Sequence, residues 1–297
     1  MPLRHIFLAI FVAFILGVSF VAIRVGIDEV PPLLITGYRF LFAAVPLVFF
    51  IRPPKVAAKW VIAYGLTQGV LLFGFMFTAM SHGMPGGLTS LVAQMQVFFT
   101  IALSSVVFRE FPKRHQYIGA TIAITGILIT GWAKLQSATP LVPFLLVICG
   151  AASWGVANII SKAARPPDML AFVVWSSLAA PIPLFVASIA IEGTNFAWPG
   201  SIPTWRVFAA IAFMGYAASV FAFTAWAWLL SQYPAATVTP FALLIPVFGF
   251  SSMAIVFGER MTALTLFGAL VVFIGLAINV FGAILFPSPA AATTSRP

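Results

Sequence analysis

Ten apolar runs, separated by short polar or proline-rich connections, constrain most strongly what this chain can fold into. A run of about 20 apolar residues is long enough to cross a bilayer as a helix, whereas strands of membrane barrels are shorter and alternate in polarity. The pattern therefore predicts an all-α integral membrane protein with ten transmembrane helices. We place them at residues 5–24, 31–51, 58–81, 85–108, 114–132, 141–162, 168–191, 204–231, 235–257 and 263–286.

The composition indicates a surface that faces lipid. Charged residues make up 7% of the chain and hydrophobic residues 62%, whereas roughly 25% of the residues in a soluble domain are charged. The net charge of +9 does not indicate nucleic acid as a partner, because the basic residues lie between the apolar runs. With a cytoplasmic N-terminus, ten basic residues fall in cytoplasmic segments and four outside, which predicts that both termini are cytoplasmic.

An internal repeat relates the two halves of the chain. At an offset of 149 residues, matching pairs are Pro85 and Pro234, Phe99 and Phe248, Glu110 and Glu259, Gly119 and Gly268, and Gly126 and Gly275; at an offset of 138, Gly17 matches Gly155. We therefore predict a first repeat over residues 1–137, a second over 138–286 and a disordered cytoplasmic tail over 287–297. Because each repeat holds five helices, the second copy enters the membrane from the opposite side. Inverted repeats of this kind favour transport by alternating access.

Motifs in both halves resemble the EamA family of the drug/metabolite transporter superfamily. Residues 17–24 (GVSFVAIR) resemble the signature that opens each repeat, and residues 154–162 hold its second copy, although Leu16 stands where the family often has tryptophan. Residues 108–110 (FRE) and 257–259 (FGE), each followed nine residues later by glycine, resemble a second family pattern. The resemblance implies a central cavity lined by helices 1, 3, 4, 6, 8 and 9 in a bacterial inner membrane. It also implies the export of amino acids, most like the aromatic amino-acid exporters of this family.

The acidic residues avoid the predicted helix cores. All six fall at helix ends or in loops: Asp28, Glu29, Glu110, Asp168, Glu192 and Glu259. A proton-coupled antiporter of cationic drugs needs a carboxylate within the membrane, where ionisable groups are costly and therefore functional. The sequence argues against that mechanism and favours facilitated diffusion, in the manner of a uniporter.

Polar and aromatic residues inside the predicted helices are the candidate substrate-binding residues. Amide groups pair with the ammonium and carboxylate of an amino acid, and aromatic walls suit an apolar side chain. The alternative is structural, because polar residues in membrane helices commonly bond one helix to another. Arg39 in particular is either a ligand for a substrate carboxylate or a structural group. The predicted set is Trp154, Asn158, Gln94, Ser19, Phe75, Thr78, Trp228, Thr239 and Arg39.

Prolines are predicted to interrupt two helices. Pro181 and Pro183 fall in the seventh predicted helix, and Pro240 and Pro246 in the ninth. Proline removes a backbone donor and kinks a helix. The kinks serve either as hinges for gate movement or as static bends filled by packing.

The sequence predicts a transporter and not an enzyme. It holds no zinc-protease or serine-hydrolase motif, and His5, His82 and His115 lie near the ends of predicted spans. The single cysteine, Cys149, excludes a thiolate metal cluster within one chain, and we expect no metal or cofactor. Nucleosides or other small metabolites are the alternative substrates, and a non-saturable channel or a membrane scaffold is the alternative function. The expected partners are an amino-acid substrate and the lipid bilayer, with the chain acting as a monomer.

Overall fold

The structure, a computed structural model, describes residues 1–45, 47–109, 113–135, 141–193, 203–233 and 238–285. These residues form helices and no strand. Seven helical spans are long and apolar enough to cross a membrane, one of them counted over Pro32–Phe49, and two more helices contain shorter apolar stretches, Phe241–Phe257 and Ala263–Asn279. The helical segments are α1 (Leu3–Ile27), α2 (Pro32–Ala44), α3 (Ala58–Ser81), α4 (Gly86–Phe108), α5 (Arg114–Leu135), α6 (Leu141–Ala164), α7 (Met169–Glu192), α8 (205–232), α9 (239–257) and α10 (Ala263–Leu285).

The all-helical class predicted from the apolar runs is confirmed, with differences at two helix ends. α1 continues to Ile27, where an ion pair of 3.1 Å between Arg24 Nε and Asp28 Oδ1 supports its last turn. The α-helical part of α2 ends at Ala44 and a 3₁₀ turn, Leu47–Phe49, follows it, whereas the sequence predicted one helix to residue 51. Val45 is extended because it precedes a proline, which disfavours the helical conformation at the preceding residue. The predicted disordered tail lies outside the described residues.

Proline affects α7 and α9 differently. In α7, the α-helical hydrogen-bond pattern is interrupted at residues 178–180, immediately before Pro181, as the sequence predicted. In α9, a 3₁₀ turn that contains Pro240, Thr239–Leu243, precedes the α-helical part, so regular α geometry is interrupted just before Pro246. Pro246 lies in the first turn of the α-helical part, Leu244–Phe257, where its missing N–H needs no partner.

α7 contains a π segment, Ser188–Glu192, and four other helices depart from α geometry at corresponding places in the two halves. α3 contains a π-helical segment, Leu66–Leu72, and α8 contains another, Phe213–Ala222. Shifted by 149 residues, the first falls within the second. α4 contains a 3₁₀ turn, Ala93–Met95, and α9 begins with one, Thr239–Leu243, close to the same repeat position. Such irregular segments are frequent at functional sites and hinges.

Equivalent glycines make equivalent contacts in the two halves. A Cβ atom at Gly17 on α1 would lie 2.5 Å from the Phe248 Cβ on α9. A Cβ atom at Gly155 on α6 would lie 2.8 Å from the Phe99 Cβ on α4. Because the repeat matches Gly17 with Gly155 and Phe248 with Phe99, the α1–α9 contact corresponds to the α6–α4 contact.

Where α5 meets α10, four glycines that the repeat matches in pairs contact each other crosswise. A Cβ atom at Gly119 would lie 2.6 Å from the carbonyl oxygen of Gly275, and one at Gly126 would lie 2.7 Å from that of Gly268. Membrane helices associate through small residues that let their backbones approach. Glycine is therefore required at these positions by the backbone of the facing helix.

We predict that Gly126→Ala lowers the free energy of unfolding by about 1–3 kcal/mol, as overpacking of a filled interface does. The added methyl group would meet backbone atoms of Gly268 and Val272 at 2.6–2.7 Å. Gly74→Ala is the control, since its Cβ would have no neighbour closer than 3.6 Å. Thermal unfolding of the purified variants in detergent measures the difference, and equal melting temperatures would contradict this packing.

Candidate functional site

Arg39 on α2 is the largest fully buried side chain among the described residues, with 1% of its surface exposed. Its Nε and Nη2 atoms each donate to the hydroxyl of Ser219, at 3.1 Å, in the π segment of α8. The guanidinium carbon lies 3.7 Å from the ring centroid of Phe73, and the rings of Phe40 and Phe77 lie at 5.5 and 5.8 Å. A hydroxyl group and aromatic faces therefore hold this cation inside the protein.

These contacts offset part of the cost of burying the charge of Arg39. A cation–π contact contributes about 0.5–2 kcal/mol, whereas removing an ion from water costs several kcal/mol. Within the described part of the chain, no carboxylate lies within 4 Å of the Arg39 guanidinium, and its Nη1 atom has no hydrogen-bond partner. Arg39 is therefore a buried cation whose Nη1 atom is an unused hydrogen-bond donor.

A small cavity adjoins Arg39 between α2, α3, α7 and α8, and holds room for about one water molecule. Its polar lining includes Gln68, Ser176 and Ser219, and the last of these is the hydrogen-bond partner of Arg39. Both amide atoms of Gln68 and the hydroxyl of Ser176 are buried and have no partner among the described residues. Buried polar atoms without partners are rare and point to an interaction beyond the chain itself.

A second polar cluster joins α4 to α6. Asn158 on α6 donates to Gln96 Oε1 at 2.8 Å and to Thr100 Oγ1 at 3.0 Å on α4. One turn further along both helices, Lys162 Nζ lies 3.4 Å from Ser104 Oγ. The spacing of four residues on each helix places these side chains in register, so they form a ladder of interhelical hydrogen bonds.

Three other predicted residues lie in the interior on α1, α4 and α6. Gln94, in the 3₁₀ turn of α4, is 2% exposed, and its Nε2 atom has no partner among the described residues. The hydroxyl of Ser19 donates to the carbonyl oxygen of Leu16 at 2.6 Å. Trp154 is half-buried against a hydrophobic cluster that includes Phe20 and Ala93, the sequence neighbours of Ser19 and Gln94.

The remaining predicted residues are placed less centrally. Phe75 and Thr78 are half-buried on α3. Trp228 on α8 is 41% exposed, and its ring meets that of His5 edge-on, with centroids 5.0 Å apart. The side chain of Thr239 lies outside the described part of the structure. None of the described side chains in this group lines the cavity beside Arg39.

Reasoning from the sequence proposed Arg39 as a candidate but did not propose the cavity residues Gln68, Ser176 and Ser219. Gln68 carried a usable signal, because an amide in the middle of the apolar run 58–81 needs a partner in hydrocarbon. The serines carried no signal of their own, since small polar residues are common in packed membrane helices. They stand out only because both line the cavity and one of them, Ser219, binds the buried Arg39.

Carboxylates bind the N-termini of other helices. The two oxygens of Glu259 accept from the amides of Gly86 and Gly87, at 2.9 and 3.2 Å, where α4 begins. Glu192 accepts from the amides of residues 33 and 34, at 2.7 and 3.3 Å, where α2 begins. Negative charge is favourable at a helix N-terminus. Glu110, the repeat equivalent of Glu259, lies outside the described residues.

Glu29, in the connection between α1 and α2, makes a similar contact ahead of α8. Thr204 donates to it from its hydroxyl at 2.6 Å and from its backbone amide at 2.8 Å. The hydroxyl bond, followed by the backbone bond, lowers the pKa of Glu29 from its usual value. This carboxylate is thereby kept ionised as an acceptor at the end of a helix.

Comparison with known proteins relates both halves of the chain to one family. Residues 3–132 and 141–281 each match the EamA-like transporter family. A Salmonella typhimurium protein described as a probable amino-acid metabolite efflux pump is 38% identical over 282 residues, covering 93% of this chain and 94% of the relative. An Escherichia coli K12 protein with the same description is 36% identical over 281 residues, with the same coverage. A crystal structure superposes with a TM-score of 0.64, covering 95% of this chain and 99% of that chain at 18% identity, which is a likeness of fold.

We predict that a double-mutant cycle of Asn158→Ala and Gln96→Ala gives a coupling free energy of about 0.5–1.5 kcal/mol, the range found for interhelical hydrogen bonds in membranes. The matched cycle of Asn158→Ala with Gln94→Ala should give no coupling, because these two side chains are not bonded to each other. Unfolding in mixed detergent measures both cycles. A larger coupling for the Gln94 pair would contradict the described α4–α6 contact.

Proposed function

The chain belongs to the EamA-like transporter family, and we propose that it exports hydrophobic and aromatic neutral amino acids by alternating access. Membership over both halves makes it a multi-pass membrane transporter and not an enzyme. The descriptions of the Salmonella and Escherichia coli relatives as amino-acid metabolite efflux pumps support the substrate class. The bacterial origin of these relatives supports a location in a bacterial inner membrane.

The equivalent contacts of the two halves are the observation that carries alternating access. Gly17 meets Phe248 as Gly155 meets Phe99, and the glycines of α5 meet those of α10 crosswise. This pairing supports ten transmembrane helices arranged as inverted repeats over residues 1–137 and 138–286. When two inverted halves exchange conformations, a central site that opened to one side opens to the other.

The irregular segments of α3, α4, α8 and α9 support these helices as the moving elements. In π and 3₁₀ segments the regular hydrogen-bond ladder is interrupted, so the backbone bends there at lower cost than within an α-helix. The four segments occur as two pairs related by the repeat. A hinge in one half therefore has a counterpart in the other half.

The buried side chains of α1, α4 and α6 support a neutral amino acid as substrate. Trp154 offers an aromatic wall, the unpartnered Nε2 of Gln94 offers a hydrogen-bond donor, and the Ser19 hydroxyl, which donates to Leu16, offers an acceptor. Such a combination suits a zwitterion with an apolar side chain. The rest of the proposed substrate-binding set is Arg39, Phe75, Thr78, Asn158, Trp228 and Thr239.

The position of the described carboxylates supports a uniport mechanism. Glu29, Glu192 and Glu259 bind backbone amides at helix N-termini, and Asp168 caps α7 itself. These carboxylates already accept hydrogen bonds from backbone amides, and they lie at the ends of helices, away from the middle of the spans. The excess of basic residues in the segments assigned to the cytoplasm supports both termini on that side.

We predict saturable uptake of labelled phenylalanine and leucine by proteoliposomes that contain the purified protein, at the same rate with and without a pH gradient. Trp154→Ala should raise the half-saturation concentration for phenylalanine about tenfold, equivalent to about 1.4 kcal/mol of binding. The control is Trp132→Ala on α5, because Trp132 is 60% exposed in the structure and is expected to face lipid.

Three outcomes would contradict this proposal in different ways. Uptake of a labelled nucleoside without uptake of any amino acid would overturn the substrate class. Uptake that rises linearly with concentration would indicate a channel. A rate that depends on the pH gradient would exclude a uniport mechanism.

A further inference from the structure

We propose that the cavity beside Arg39 binds one small monovalent anion, either free chloride or the carboxylate group of the transported solute. The two ligands share the chemistry that the cavity recognises, a compact negative charge that accepts several hydrogen bonds. The carboxylate alternative rests on the proposed transport of amino acids. The chloride alternative is independent of it.

The charge of Arg39 determines the sign of the ligand. The guanidinium is 1% exposed, its only described hydrogen-bond acceptor is the hydroxyl of Ser219, and no described carboxylate lies within ion-pair distance. A buried charge requires a partner of opposite sign or a set of hydrogen bonds that replaces water. The rings of Phe40 and Phe73 provide faces for the cation but accept no conventional hydrogen bond.

Two buried groups that line the cavity, and a third on the neighbouring Arg39, have unpartnered hydrogen-bond donors. They are Nη1 of Arg39, Nε2 of Gln68 and the hydroxyl of Ser176, none of which has a hydrogen-bond partner among the described residues. Gln68 and Ser176 line the cavity directly, and Arg39 adjoins it through Ser219. Donors of α3 and α7 thus line one small space, and the Ser219 hydroxyl in its wall is bonded to the Arg39 cation, an arrangement that suits an anion.

The size and walls of the cavity limit what it can hold. It has room for about one water molecule, enough for a chloride ion or a carboxylate group after slight expansion but too little for a whole amino acid. Phe40, Tyr64 and Phe223 form its apolar walls. A low dielectric strengthens the attraction between Arg39 and an anion.

The π segments of α3 and α8 explain why polar side chains meet at this cavity. Gln68 lies in the π segment of α3 and Ser219 in that of α8, so both irregular segments bring a polar side chain to the cavity. An anion bound between them would connect the two halves of the chain through Arg39. Its binding would therefore depend on the relative position of α3 and α8.

The test measures binding of radiolabelled chloride to the full-length protein in lipid nanodiscs, with gluconate as the balancing anion. We expect saturable binding of one chloride per chain. Gln68→Leu should weaken it about tenfold or more, because a hydrogen bond to a charged group is lost, and Arg39→Gln should abolish it. The matched control is Asn279→Leu on α10, which also removes a buried amide with an unpartnered nitrogen but does not line the cavity.

A second arm distinguishes the two sources of the anion. Binding of labelled phenylalanine is competed by unlabelled phenylalanine and by phenylalaninol, which lacks the carboxylate. If the solute carboxylate occupies the cavity, phenylalaninol fails to compete, and Gln68→Leu weakens phenylalanine binding while Asn279→Leu does not. If chloride occupies the cavity, Gln68→Leu weakens chloride binding and Arg39→Gln abolishes it whether or not phenylalanine is present, while Asn279→Leu leaves it unchanged.

The inference is overturned if neither chloride nor the carboxylate binds, or if Arg39→Gln and Gln68→Leu bind both as the wild-type protein does. Gln68→Leu keeps the test decisive if Arg39→Gln does not fold. Transport of phenylalanine by proteoliposomes separates this inference from the proposed function. Normal transport without anion binding would overturn the anion site alone, and chloride binding without transport would overturn the transport proposal alone.

Discussion

The absence of water from the hydrocarbon core governs where this chain keeps its polar groups. A polar atom inside the bilayer must find its partner within the protein or in a bound solute. Carboxylates such as Glu259 accordingly lie at helix ends, bound to backbone amides. Asn158 inside α6 bonds to Gln96 on the facing helix. Arg39 departs from this rule, because its charge is buried and its described contacts satisfy it only in part.

The lipid that surrounds the helices also determines how they pack against one another. Lipid tails are as apolar as leucine, so association depends on close packing more than on removing apolar surface from water. Glycines allow this close packing where α5 meets α10, where α1 meets α9 and where α6 meets α4. All of these contacts join the two halves: the repeat relates α1–α9 to α6–α4, and it relates the α5–α10 contact to itself. A structure joined by paired, equivalent contacts can exchange the conformations of its halves without losing contact area.

Most helix extents and the equivalence of glycines between the two halves could be predicted from the sequence, because each depends on a local or repeated pattern. Apolar runs determined the helices, and the offsets of 149 and 138 matched the glycines whose contacts prove equivalent. The partner of Asn158 could not be predicted, because it depends on the 3₁₀ turn at Ala93–Met95 that changes the direction of the following side chains. The cavity could not be predicted either, because it arises from π segments and from serines whose surroundings depend on tertiary packing.

Entrance counterflow tests the central claim, that the chain exposes one solute site alternately to the two sides of the membrane. Proteoliposomes are loaded with excess unlabelled phenylalanine and diluted into a trace of the labelled form. An alternating carrier returns unlabelled solute outward and brings labelled solute inward, so labelled phenylalanine should accumulate transiently above its equilibrium level and then decline. A monotonic rise to equilibrium, with no overshoot, would contradict alternating access and indicate a continuous pore.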